Sequence, residues 1–177
     1  MQNGEQRGNR LHVGVFGPGD SGKTTLVKQL SLSMWRDGHF KSLVLDSNCE
    51  GTWGNHAFAT DNEDLFTRLF WANERCFCVI EEATETIKRD NEKNSLFTRG
   101  RHRGHKICVV GHSGTNLLPI HRLQLHTLFL FRQPASAAKI WSELFTDKDI
   151  LKCTDLKQFE FLHCQLFKPV EKKILRF

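Results

Sequence analysis

One segment constrains this chain more than any other: Gly17-Pro-Gly-Asp-Ser-Gly-Lys-Thr-Thr25. It follows an apolar run, 11–16, and opens a stretch in which Leu26, Leu30 and Met34 recur at i, i+4 and i+8 with Val27 beside them. The order is strand, glycine-rich turn, amphipathic helix. Gly17, Gly19 and Gly22 let the backbone curl until several N–H groups converge on one anion. The helix N-terminus adds its dipole. Lys23 supplies a point charge for the β- and γ-phosphates of a nucleotide, and Thr24 a hydroxyl for Mg²⁺. The whole run, with Pro18, Asp20, Ser21 and Thr25 between and beyond those residues, is the expected cradle for ATP. The competing reading is a glycine-rich turn that only caps a helix.

Apolar runs alternate with helical patterns along the rest of the chain. Short strands are expected at 42–45, 76–80, 107–110 and 127–131, and helices at 63–71, 84–97 and 135–145. A loop is expected at 47–55, and 159–166 reads as a strand that opens a hairpin. This alternation predicts an α/β fold with a mostly parallel central sheet flanked by helices. With 177 residues, one domain over 11–177 follows a polar, flexible tail at 1–10. No run approaches the ~20 apolar residues of a membrane span, and the tail lacks a signal-peptide core. Neither a span nor secretion by its own signal is expected. The chain carries 25 basic and 20 acidic residues, hence +5. That balance permits a nucleic-acid partner without demanding one. The six cysteines form no C-x-x-C pair. Cys76, Cys78 and Cys108 fall in strand-like runs and read as small buried hydrophobes in a reducing setting, so a zinc site is not expected.

A phosphate loop that hydrolyses its nucleotide needs an acid near Mg²⁺ at the end of a neighbouring strand. Cys76-Phe-Cys-Val-Ile-Glu81-Glu82 switches abruptly from five apolar residues to two acids. Glu81 is placed to hold Mg²⁺, through water, and Glu82 to orient or deprotonate the attacking water. The alternative is that Glu82 only favours a helix N-terminus. Asp46, also at a strand end, is a rival metal ligand of lower rank. An Asn-Lys-x-Asp guanine-reading motif and an ABC-type signature are both absent from the sequence.

Arg99-Gly-Arg-His-Arg-Gly-His-Lys106 is the densest positive stretch, and Gly100 and Gly104 suggest a flexible loop. It reads as a solvated charge run, as a contact to nucleic-acid phosphates, or as an arginine finger reaching a neighbouring subunit's γ-phosphate. After it, the strand Ile107-Cys-Val-Val-Gly ends in His112, placed to sense the γ-phosphate by a hydrogen bond.

The order of these parts, over 11–133, resembles the FtsK–HerA superfamily of P-loop ATPases with a RecA-like domain. Within it, the chain is most similar to the small genome-packaging ATPases of tailless, membrane-containing icosahedral viruses. The resemblance implies an ATP-driven motor that assembles as a homo-oligomeric ring, a hexamer being favoured, and moves double-stranded viral DNA into a preformed capsid. It implies capsid vertex proteins as partners, and the host cytoplasm or the packaging vertex of the virion as its place. It assigns Lys23 and Thr24 to nucleotide and Mg²⁺, Glu82 to catalysis, and an arginine of the basic stretch, Arg101 being favoured, to the finger in trans. Two positions depart from the pattern: Glu81 stands where Asp is usual, and His112 where Gln is usual. The other readings are a nucleotide or small-metabolite kinase with the arginines as a phosphate-clamping lid, and a nucleotide-gated assembly switch.

Overall fold

A computed structural model describes residues 12–47, 52–82 and 91–177. The tail at 1–10, Cys49 within the expected 47–55 loop, and the beginning of the expected 84–97 helix lie outside the described residues. Eight strands form one sheet: β1 His12–Phe16, β2 Ser42–Leu45, β3 Ala57–Thr60, β4 Phe77–Ile80, β5 Lys106–Gly111, β6 Leu125–Leu130, β7 Glu160–Gln165 and β8 Glu171–Ile174. Their order is β3-β2-β4-β5-β1-β6-β7-β8. The first six in that order pair in parallel, and β7 and β8 close the edge as an antiparallel hairpin. The helices are α1 Lys23–Gly38, α2 Glu63–Ala72, α3 Asn91–His102, α4 Pro119–Arg122 and α5 Ala135–Phe145. A 3₁₀ segment, Lys148–Asp155, follows α5.

The α/β expectation holds, and the apolar runs explain it. Every residue of β1, β2, β4 and β5 is buried. Strands covered on both faces lose the polar alternation of a half-exposed sheet. Their side chains still part to opposite faces with a period of two. Val13, Val15, Val44, Phe77, Val79, Cys108 and Val110 face one layer, completed by Leu26 and Val27 of α1. Phe16, Leu43, Leu45, Cys78, Ile80, Ile107 and Val109 face the other, against Phe66 and Phe70 of α2, Phe97 of α3 and Trp141 of α5. Among the described residues, α1 therefore covers the first face, and α2, α3 and α5 cover the second.

Three expectations are corrected. The basic stretch is not a loop: Arg99, Gly100, Arg101 and His102 form the last turn of α3. Gly100 serves packing rather than flexibility, since a Cβ there would lie 2.4 Å from Phe70 Cζ. The chain breaks only at Gly104, whose φ of 78° suits glycine. His105 and Lys106 are buried, not solvated. Finally, β3 had no counterpart in the sequence reading; it is a four-residue edge strand with Phe58 half exposed, so it carries little apolar signal.

Two buried histidines pin the N-terminal edge of the sheet. His12 Nδ1 accepts from the Ile107 N–H (3.1 Å), and its Nε2 donates to the Phe97 carbonyl (3.0 Å). His105 Nδ1 accepts from the Cys76 N–H (3.1 Å), and its Nε2 donates to the Phe70 carbonyl (3.0 Å). Each neutral imidazole thus ties a strand to a helix. Burial pushes the His12 pKa down to about 4 and lowers that of His105.

Candidate functional site

Parallel strands deliver their C-terminal ends to one edge of the sheet, where open α/β folds bind ligands. Here β1 ends at Gly17, β2 at Asp46, β4 at Glu81 and Glu82, and β5 at His112. β5 lies between β1 and β4, so the phosphate loop and the acid pair stand on either side of it. A cavity of about 560 Å³ opens at this edge. Gly19, Asp20, Gly22, Lys23, Thr24 and Thr25 line it from the loop, and Asp46, Glu81, Glu82 and His112 from the other strand ends.

The loop is shaped for an anion. Asp20 (φ 54°) and Gly22 (φ 98°) are both left-handed, which turns successive N–H groups inward. Gly17 is held by its N–H to the Gly111 carbonyl at 3.2 Å. A Cβ on Gly17 would meet Phe131 Cβ at 2.5 Å, so only glycine fits. No side chain caps α1 and no acid stands in its first turn. Its first N–H groups and its positive dipole end therefore remain for a ligand. Lys23 is buried and donates from Nζ to the Pro18 carbonyl at 2.8 Å, so the loop holds its own cation in place. Burial lowers the Lys23 pKa, while Glu82, Glu81 and Asp20 oppose that shift. Three acids thus offset part of the cost of burying this cation.

The acid pair divides as its backbone dictates. Glu81 is buried at the strand end, and its N–H donates to the Leu45 carbonyl at 2.9 Å. Glu82 is left-handed (φ 46°), a conformation that costs a non-glycine residue about 1 kcal/mol. That turn lifts its carboxylate off the sheet, where His112 Nε2 stands 3.9 Å from Oε2. Asp46 lies on the same cavity, but Trp53 Nε1 donates to its Oδ2 at 3.2 Å, so it is already engaged. Trp53 itself is buried.

His112 is exposed but positioned from behind. Gln133 Nε2 donates to the His112 carbonyl (3.1 Å), and Trp141 Nε1 to the Ser113 carbonyl (2.9 Å). Sequence reasoning missed Gln133, which follows β6 by a short step and is buried. It also missed Gln158, Phe159 and Phe177, which complete the cavity wall from the β7–β8 hairpin. Nothing local in the sequence marks them, because the sheet order alone brings residues near 160 and 177 to a loop near 20.

Arg101 is not brought to this cavity. It is exposed in the last turn of α3, beside the N-terminal end of β5, whereas the phosphate loop adjoins the C-terminal end. The six residues of β5 separate those edges by roughly 17–20 Å. Arg99 lies over the Trp71 ring, and Arg103 donates to the Asn73 carbonyl and pairs with Glu74. Among the described residues Arg101 makes no such hydrogen bond or ion pair.

Taken together, the eight-stranded sheet and its loop have the fold of a P-loop nucleoside-triphosphatase of the RecA-like kind. No family model matches the sequence, and no curated protein matches it. Solved structures of similar fold include the genome packaging NTPase B204 from Sulfolobus turreted icosahedral virus 2 in complex with AMP, with a TM-score of 0.78, 19% identity, and 95% of this chain and 100% of that chain covered. B204, the DNA-packaging ATPase from Sulfolobus Turreted Icosahedral Virus, superposes at 0.77 with 18% identity, over 95% and 99% of the two chains. VirB4 of Thermoanaerobacter pseudethanolicus follows at 0.68 with 10% identity, over 99% and 92%. These are likenesses of fold, spanning nearly the whole of each chain.

Proposed function

We propose that the chain is a Mg²⁺-dependent ATPase of the FtsK–HerA type that drives double-stranded viral DNA into a preformed capsid. The observation that carries this reading is the convergence of Lys23, Thr24, Glu81, Glu82 and His112 on one cavity, with β5 between the phosphate loop and the acids. The near-complete overlap with B204, a genome packaging NTPase, supports the motor reading over other uses of the same loop. The donor set suits Mg²⁺, since Thr24 offers a hydroxyl, Glu81 a buried carboxylate and the nucleotide its phosphates. When bound there, the ion neutralises charge on the phosphoryl oxygens. Lys23 holds the γ-phosphate, the α1 N-terminus orients it, and Glu82 takes a proton from the attacking water. His112 donates its imidazole N–H toward the phosphate edge.

Hydrolysis needs a cation at the far side of the γ-phosphate. Arg101 serves as that group only from a neighbouring subunit, because its own cavity lies at the other edge of the sheet. The same placement argues against the kinase reading, in which the arginines would clamp phosphates of their own site. An assay of ATP hydrolysis with and without duplex DNA, beside a mass measurement by light scattering, tests the proposal. DNA-stimulated turnover by an oligomer, abolished in Lys23→Ala, is expected. Full-rate, DNA-independent turnover by a monomer would overturn the motor reading.

A further inference from the structure

One part of the cavity wall is aromatic, and the phosphate chemistry does not use it. Phe159 and Phe177 both line the cavity that holds Lys23. Their ring centroids are 4.9 Å apart at an interplanar angle of 83°, an edge-to-face pair. Phe159 is half buried and left-handed (φ 66°), so the backbone is strained to present it there. Phe177 is 82% exposed, so most of a large apolar ring faces solvent beside a polar cleft.

This wall is built rather than incidental. The Leu175 N–H donates to the Phe159 carbonyl at 2.9 Å, extending the β7–β8 ladder beside the loop. Leu175 is buried against Gly22, where a Cβ would lie 2.5 Å from Leu175 Cδ2. Gln29 Nε2 donates to the Arg176 carbonyl (2.6 Å), and Gln158 Nε2 to the Asp20 carbonyl (3.3 Å). Three contacts thus fasten the hairpin to the phosphate loop and to α1.

We propose that Phe159 and Phe177 form the base-stacking subsite of the nucleotide cavity. The nucleobase is then recognised by its π-face, and the ligand class is purine nucleoside triphosphates with weak discrimination between adenine and guanine. Stacking tolerates any base and strengthens with ring area. Gln158, a polar side chain on this wall, spends one amide N–H on the Asp20 carbonyl at 3.3 Å, which ties its remaining N–H and carbonyl oxygen to the phosphate loop. This inference rests on the phosphate-site reading above.

The test measures affinities of the full chain with Mg²⁺ by calorimetry for ATP, GTP, CTP and inorganic triphosphate. In the wild type, ATP and GTP are expected within about threefold of each other and CTP weaker. Phe177→Ala is expected to bind ATP about tenfold more weakly, the ~1.4 kcal/mol of one lost stacking contact, with triphosphate affinity unchanged. Phe177→Trp should restore ATP binding. Unchanged ATP affinity in Phe177→Ala, equal loss for ATP and triphosphate, or strong preference for ATP over GTP would each overturn the proposal. If triphosphate fails to bind the wild type, the phosphate-site reading falls, and this one with it.

Discussion

At the scale of single residues, the proposed site gathers opposite charges in a partly buried cleft. Burial lowers the Lys23 pKa, and Glu82, Glu81 and Asp20 oppose that shift. Replacing Glu82 by Gln keeps the shape and removes the proposed base. Hydrolysis is expected to fall by about 10²–10⁴-fold while nucleotide affinity changes little; a rate close to wild type would remove Glu82 from the chemistry. The buried histidines predict an acid limit. His12 has its pKa pushed down from 6.5 to about 4, so between those values the unfolded chain takes up a proton that the folded chain refuses. Stability contributed by the neutral form is therefore present above pH 6.5 and lost as pH falls toward 4, by roughly 3 kcal/mol for that one residue. His105 and His121 shift in the same direction. Urea midpoints are expected to drop between pH 7 and pH 4.5, and an unchanged midpoint would show that these imidazoles are not held neutral. The placement of Lys23, Thr24 and the acid pair on one cavity was legible in the sequence, because the glycine-rich loop follows β1 and opens α1 and the acids directly follow β4. The two imidazoles were not, since a histidine that satisfies a backbone looks like any other.

Among the elements, the instructive case is α3. A run of arginines, histidines and a lysine broken by two glycines suggested a flexible loop, yet the helix runs through Arg99, Gly100 and Arg101. Tertiary packing overrode propensity, because Phe70 of α2 fills the space a side chain at 100 would take. Gly100→Ala should gain helix propensity but force a ring that is fully buried to move. The net expectation is destabilisation by about 1–2 kcal/mol, read from denaturant unfolding; a stabilised variant would mean that the helices separate freely. Where strands are buried on both faces, as in β2 and β4, their bounds followed from the apolar runs to within a residue. The edge strand β3 and the hairpin's role in the cavity did not, since one is half exposed and the other depends on contacts more than a hundred residues apart.

For the whole molecule, the separation of Arg101 from Lys23 makes the assembly testable. If each catalytic site takes its loop from one subunit and its finger from the next, Lys23→Ala and Arg101→Ala preparations are each inactive. Mixed, they form interfaces in which an intact loop meets an intact arginine. Hydrolysis by the mixture is expected to exceed that of either variant alone, and a mixture no more active than its components would place Arg101 outside the chemistry.

The fastening of β8 to the phosphate loop has a consequence for how the protein comes to exist. Gln29 and the Arg176 carbonyl are separated by 147 positions along the chain. During synthesis, a nascent chain short of Leu175 already carries the lysine loop but not the wall beside Gly22. Closing so long a span is the slow, entropically costly event of such a topology. A bound nucleotide that touches both segments would favour the closed arrangement by mass action. The ligand would then act as a clasp, joining two segments that emerge far apart in time.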